Sequence, residues 1–300
     1  MQGFLNRAAL TVEAIAVRPA QLADRVAINR LTENHHRVHF NLDWWSFDQW
    51  LHDDRPSEAI WVAFDERELI GLLTAPYEQS PVVWLRAMAI ANGYSAAPVF
   101  TALLTHARSA LLTCGAAHVA VLAHPAWVGD LTRRVNFTHY NSIVTMRKGD
   151  RVVPALGRAP AANIRPARPD DIPAIAVNDR AAFDAVWQHS AASLAHILKS
   201  VSHFVVAEID GRVVGHAFSD IYGGHGHLIR LVVHPAYHQR GIGEQLLRES
   251  LLYQIALGVY PFTLNTQIDN ASSQALYRRY GYQLTGEPVR VMHCALVKND

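Results

Sequence analysis

Leu231-Val232-Val233-His234-Pro235-Ala236-Tyr237-His238-Gln239-Arg240-Gly241-Ile242-Gly243-Glu244-Gln245-Leu246-Leu247 is the most informative stretch of the chain. An apolar, β-branched run stops at Pro235, a short loop follows, and two glycines open a helix whose Leu247, Leu251 and Ile255 fall four apart. Strand, glycine turn and helix start together make an anion site. Glycine lets the backbone approach a phosphate closely, and the free N–H groups of the first helical turn point at it with the helix dipole behind them. Arg240 adds a positive charge at the rim. Taken alone, the glycines would equally suit a tight strand-to-helix connection with no ligand.

The segment about 30 residues downstream narrows the choice. Phe262-Thr263-Leu264-Asn265 reads as a strand, and Asp269 and Asn270 sit where a helix cap would. Ala271 to Tyr280 reads as a short helix stopped by Gly281. Tyr277 lies about two turns along it from Asn270. In this order and spacing the two motifs resemble the GNAT superfamily of acyl-CoA-dependent N-acetyltransferases. The resemblance covers residues 164 to 300.

That resemblance implies acetyl-CoA as co-substrate and assigns roles residue by residue. The amides of Gln239, Arg240, Gly241, Ile242, Gly243 and Glu244 would hold the CoA pyrophosphate, while Leu231, Val232 and Val233 would pair with pantetheine. The Val233 N–H would polarise the thioester carbonyl. Asn270 would contact the pantetheine arm, and the Tyr277 hydroxyl would protonate the departing thiolate. His238 stands where the family has Gln or Arg, which affects a side-chain contact and leaves the backbone cradle intact.

An acceptor ammonium must lose a proton before it attacks, which at pH 7 costs about 4.6 kcal/mol for a lysine-like amine. Six residues before Val233, where several family members place a glutamate, stands His227, whose imidazole could accept that proton. Strand alternation puts His225 on the same face, with Asp220 and Tyr222 as further candidates. No metal is expected. His225, His227, His234 and His238 lack an accompanying carboxylate or thiolate, and the spacing of His35, His36 and His39 lacks the glutamate of a zinc-hydrolase helix.

The chain also repeats itself. Val17-Arg18-Pro19-Ala20 recurs as Ile164-Arg165-Pro166-Ala167, and the strand, polar turn and strand from Trp61 to Gly71 recur from Val205 to Gly215, 144 residues later. Leu85 to Ile90 maps onto Ile229 to His234. Between the copies, residues 149–163 are rich in Gly, Pro and Ala and read as a linker. The expected layout is α/β: two tandem GNAT-like domains, 11–148 and 164–300, each a mixed, mostly antiparallel sheet flanked by helices. In the first copy Ala97 and Val99 replace the glycines, with Val99 expected to project where phosphate oxygens would sit. Thr132 falls opposite Tyr277, so this copy reads as degenerate. Its aromatic run from Asn41 to Trp50 is expected mainly in the core, with some rings available to wall a cleft.

Composition sets the outer limits. A chain of 300 residues, 50% hydrophobic and 18% charged, is an ordinary globular protein with room for two domains. Lys plus Arg is 27 against 26 Asp plus Glu, so no global field favours a nucleic acid. Two cysteines, Cys114 and Cys294, offer neither a disulfide framework nor a thiolate metal site and suit the cytoplasm. Neither an export signal nor a membrane span is expected. The functional expectation is N-acetylation of a primary amine by direct attack in a ternary complex. The acceptor would be a small molecule (amino sugar, polyamine, aminoglycoside-like compound or amino acid), with a protein N-terminus or lysine as the alternative. A non-catalytic acyl-CoA-binding module is the rival reading.

Overall fold

The repeat at residues 17 and 164 folds into the same small device twice. The computed structural model describes residues 10–35, 37–41, 59–78 and 81–296. In it β1 (Ala16–Pro19) and β9 (Asn163–Pro166) each run into a single 3-10 turn, Leu22–Asp24 and Pro169–Asp171. Arg18 grips Asp24 through bonds of 2.7 and 2.8 Å, and Arg165 grips Asp171 through two of 2.8 Å. The same carboxylates accept the backbone N–H of Gln21 and Arg168. Bidentate arginine pairing is charge-assisted, and it holds both aspartates below the usual carboxylate range against the opposing effect of burial.

The second repeat is as literal. Hairpins β3 (Ile60–Asp65) with β4 (Glu68–Thr74), and β10 (His203–Ile209) with β11 (Arg212–Tyr222), both turn through a left-handed acidic residue, Glu66 at φ 53° and Asp210 at φ 49°. Their ladders slip at matching places, Ala63/Phe64 and Ala207/Glu208.

Two compact units result, residues 1–140 with 290–300, and residues 141–289. The first has a sheet in the order β1-β3-β4-β6-β2, with β2 (Arg37–Phe40) and β6 (Ala87–Ile90). Helix α1 (Arg25–Asn34) buries Ile28 and Leu31, and α2 (Ala96–Thr113) buries Phe100, Leu103 and Leu111. Beside them β5 (Val82–Trp84) runs parallel to β7 (His118–Leu122), followed by α3 (Ala126–Arg134). Residues Val291 to Ala295, the end of β14 (Tyr282–Ala295), close this strip antiparallel to β7.

In the second unit β9, β10, β11 and β12 (His225–Val233) form an antiparallel succession. Then β13 (Phe262–Gln267) lies parallel to β12, and β8 (Thr138–Lys148) pairs antiparallel with β13 over Ile143 to Lys148. Its helices are α4 (Ile172–Ala182), α5 (Ala191–Ser200), α6 (Ile242–Ala256) and α7 (Ala271–Arg279). Leu246, Leu247 and Leu251 of α6 are fully buried against the sheet, each contributing roughly 1.5–3 kcal/mol.

The units do not divide where the linker suggests. Residues 141–148 belong with the second unit and 290–300 with the first, because each takes its closing strand from the far side of that boundary. Leu42 to Trp50 and His36 lie outside the described residues. His35 accepts the Asn92 N–H, and His39, on a strand, pairs with the His124 carbonyl. Among the described residues no group of three or more His, Cys, Asp or Glu is placed to hold a metal ion, and no helix is long and apolar enough to cross a membrane.

Candidate active site

The sheet of the second unit opens where the quoted stretch begins. Strands β12 and β13 pair only from Gly226 to Leu228 against Phe262 to Leu264, although β12 continues to Val233 and β13 to Gln267. A one-residue bulge in β12 against Phe218/Ser219 accompanies the parting. The cleft between the strands measures about 150 Å³, and its lining includes Leu231, Asn270, Ser273 and Tyr277 together with Phe183, Trp187 and Arg230.

Backbone polarity along β12 follows from its ladder. The His234 N–H donates to Val214 at 2.8 Å, so the antiparallel alternation turns the amides of Leu231 and Val233 away from β11 and toward the parted side. Val232 instead turns its peptide groups into β11, opposite His216, which removes it from the set expected to pair with a ligand. The Val233 carbonyl accepts the His238 Nε2–H at 2.9 Å. His238 thus folds back on its own loop, where the family's Gln or Arg was expected to contact the ligand.

Next comes the cradle. Gln239 (φ 61°) and Gly241 (φ 81°) both adopt left-handed backbone, and Gly241 is the N-cap of α6 without any side-chain cap. The first amides of this helix therefore have no side chain to satisfy them, as an anion site requires. A Cβ on Gly241 would lie 3.0 Å from Cδ of Arg158, whose Nη1 donates to the Gln239 carbonyl at 2.8 Å. Arg158 belongs to the stretch read as a linker. That stretch is a strap: the Gly157 N–H reaches Glu244, and the amides of Ala161 and Ala162 reach the Gln245 side chain. Glu244 is held away from the cradle by Arg279 at 3.1 Å and Tyr280 at 3.3 Å, leaving only its amide to serve there. Arg240 stacks over Tyr237, 5.0 Å from the ring centre. At Gly243 an added Cβ would face Leu231 and Leu276 at ordinary contact distance, so this glycine borders the core.

Asn270 caps α7 through its Oδ1, which accepts the Ser273 N–H at 3.2 Å. Tyr277, two turns on, is 6% exposed; burial pushes its phenol up to about 12, opposed by a hydrogen bond with Ser273. The phenol is therefore protonated at neutral pH, as an acid must be.

His227 is not brought to the cleft. It sits in the closed part of the sheet opposite Thr263, whose hydroxyl is 2.8 Å from Nδ1, and burial pushes its pKa down to about 4. His225 and Tyr222 are exposed, and Asp220 accepts the Ser202 N–H. Two further rings share the depression: burial takes His203 to about 4, and burial with the Arg230 charge takes His216 to about 3. Unfolded histidines take up a proton near pH 6.5 and these do not until about pH 4, so the unfolded state binds more protons between those values and stability is lost as the pH is lowered through that range. We expect the melting temperature to drop by several degrees between pH 6.5 and 4.5, before the carboxylate pairs titrate. A flat profile across that window would show the rings to be solvated.

In the first unit different residues stand at the matching places. Helix α3 and helix α7 are both nine residues long, and Thr132 occupies the seventh place that Tyr277 holds. Thr132 is buried, its hydroxyl bonded to Gly129 at 3.2 Å. Val99 corrects the expectation: rather than entering an anion site it is 1% exposed and packs on Gly71, facing the core as Gly243 does.

A mixed sheet parting over an uncapped, glycine-opened helix, with a buried phenol bordering the gap, defines the class of α/β domain to which the second unit belongs. Residues 172–282, within the second unit, match the Acetyltransferase (GNAT) family. An uncharacterized N-acetyltransferase of Methanocaldococcus jannaschii is 39% identical over 82 residues, 27% of this chain and 52% of that protein, so the match spans about half the relative's length. Among solved structures, a GCN5-related N-acetyltransferase from Sphaerobacter thermophilus superposes with a TM-score of 0.61 at 15% identity, covering 97% of this chain and 98% of its own. A tandem GNAT protein from the clavulanic acid biosynthesis pathway superposes at 0.62 and 15% identity, covering 95% and 100%. These likenesses support the two-domain fold.

Proposed function

We propose that the protein is an acetyl-CoA-dependent N-acetyltransferase acting on a primary amine of a small molecule, with its active site in the second unit. The observation that carries this is one cleft bordered by both the Tyr277 side chain and the open edge of β12, beside the uncapped start of α6. Acetyl-CoA, when bound, supplies an acetyl thioester whose carbonyl carbon bonds to the acceptor nitrogen as the carbon–sulfur bond breaks.

The amides from Gln239 to Glu244 hold the pyrophosphate, and the inward-turned amides of Leu231 and Val233 hold the pantetheine arm and the carbonyl oxygen. Asn270 fixes the α7 end of the cleft. Tyr277 gives its proton to the sulfur as it leaves, and a phenol near 12 is recharged readily by the proton the amine gives up. Because His227 lies in the closed part of the sheet, the acceptor ammonium sheds its first proton to water at the cleft mouth before attack, and the second, released from the nitrogen after attack, is the one that returns to Tyr277. We place the protein in the cytoplasm, where the thiols of Cys114 and Cys294 would stay reduced.

Calorimetric titration with acetyl-CoA tests the reading. One site per chain is expected, since only the second unit retains the cradle and the phenol. Two sites would restore the first unit as a binder, and no binding at millimolar ligand would remove the acyltransferase reading in favour of a recognition module.

A further inference from the structure

Arg230 lines the cleft, and its surroundings hold it in one pose. Nε and Nη2 donate to Oδ2 of Asp179 at 3.0 and 2.6 Å, and Nη2 donates again to the Trp187 carbonyl at 2.7 Å. The guanidinium carbon lies 3.6 Å from the centre of the Phe183 ring. Asp179 is itself fully buried behind the cleft, its Oδ1 taking the His189 N–H at 2.9 Å. One edge of the guanidinium is thus committed. Among the described residues Nη1 has no hydrogen-bond partner, and this 10%-exposed side chain lines the cleft.

The cleft is otherwise uncharged at neutral pH. Among the described residues that line it no carboxylate is present, and Arg230 is the one cation. A second ammonium on the acceptor would find no counter-charge and would meet Arg230, whereas a carboxylate would find two free N–H groups on a rigid, planar donor. We propose that Arg230 is a specificity-determining residue that binds the acceptor's carboxylate, and that the acceptor is a small amine bearing a carboxylate, of the amino-acid class, rather than a polyamine or aminoglycoside. This rests on the acetyl-transfer reading above.

The test measures kcat/KM for a panel of amino acids, each beside its amide, together with spermidine. The wild-type protein should acetylate at least one acid about tenfold or more better than its amide or than spermidine, a penalty of the size expected for leaving a charged donor unpaired. Arg230→Gln should erase that preference through KM while acetyl-CoA affinity holds, and Arg230→Lys should restore part of it. Since Arg230→Gln leaves Asp179 as a buried unpaired charge, the double variant with Asp179→Asn serves where the single one unfolds. Equal use of amides or spermidine by the wild type, or an unchanged preference in the variant, overturns the inference. Acetyl-CoA binding without acetylation of any acid also overturns it and leaves the general reading standing; absent acetyl-CoA binding overturns both.

Discussion

Tyr277→Phe lowers turnover by about tenfold or more while acetyl-CoA affinity stays within about twofold. The phenol borders the parted strands, and burial keeps it protonated far above neutral pH. Removing the hydroxyl deletes one hydrogen bond, to Ser273, worth about 1 kcal/mol of stability, so the variant folds and the loss is chemical. Steady-state kinetics beside a calorimetric titration separates the two effects. Turnover equal to wild type would take Tyr277 out of the mechanism and leave it as a packing residue against Tyr282, whose ring centre is 6.1 Å away.

Gly241→Val should abolish measurable acetyl-CoA binding. At φ 81° a β-branched residue is strained by roughly 1–3 kcal/mol, and its Cβ would lie 3.0 Å from Cδ of Arg158. A fall of several degrees in melting temperature therefore accompanies the loss, and a companion variant isolates the cradle itself. Arg158→Ala touches an exposed side chain and should leave the melting temperature alone while weakening acetyl-CoA by about tenfold, the scale of one charge-assisted contact. Full affinity in Gly241→Val would place the phosphates elsewhere. Full affinity in Arg158→Ala alone would reduce the strap to a structural tie.

Most of the site was legible because its signals are local. The left-handed backbone at Gly241 and the cap at Asn270 are each written within one turn of the chain. So is the seven-residue reach from that cap to Tyr277. His227 was misleading for a physical reason. Counting along β12 gives its distance from Val233, but only the pairing with β13 reveals that the strands are still closed at that residue. Arg158 carried no signal, since a Gly- and Pro-rich stretch reads as a linker whether or not its amides find acceptors on a helix about 85 residues away. For Arg230 a hint did exist. The repeat aligns it with Arg86, buried in the first unit and paired with Glu78 at 3.3 Å, and an arginine kept on a strand in both copies asks for a partner.

By itself the sequence determined the duplicated α/β architecture, the helix caps, the glycine-opened start of α6 and the place of Tyr277 on α7. These depend on backbone conformations and periodicities that a few consecutive residues impose. Only the tertiary structure decided that each unit takes its closing strand from beyond the linker, that the linker ties itself to the start of α6, and that Asp179 holds Arg230 at the cleft. Each of those rests on partners tens to more than a hundred residues apart, and a strand edge, a free amide or a lone charge is satisfied by whichever group the folded chain brings alongside it.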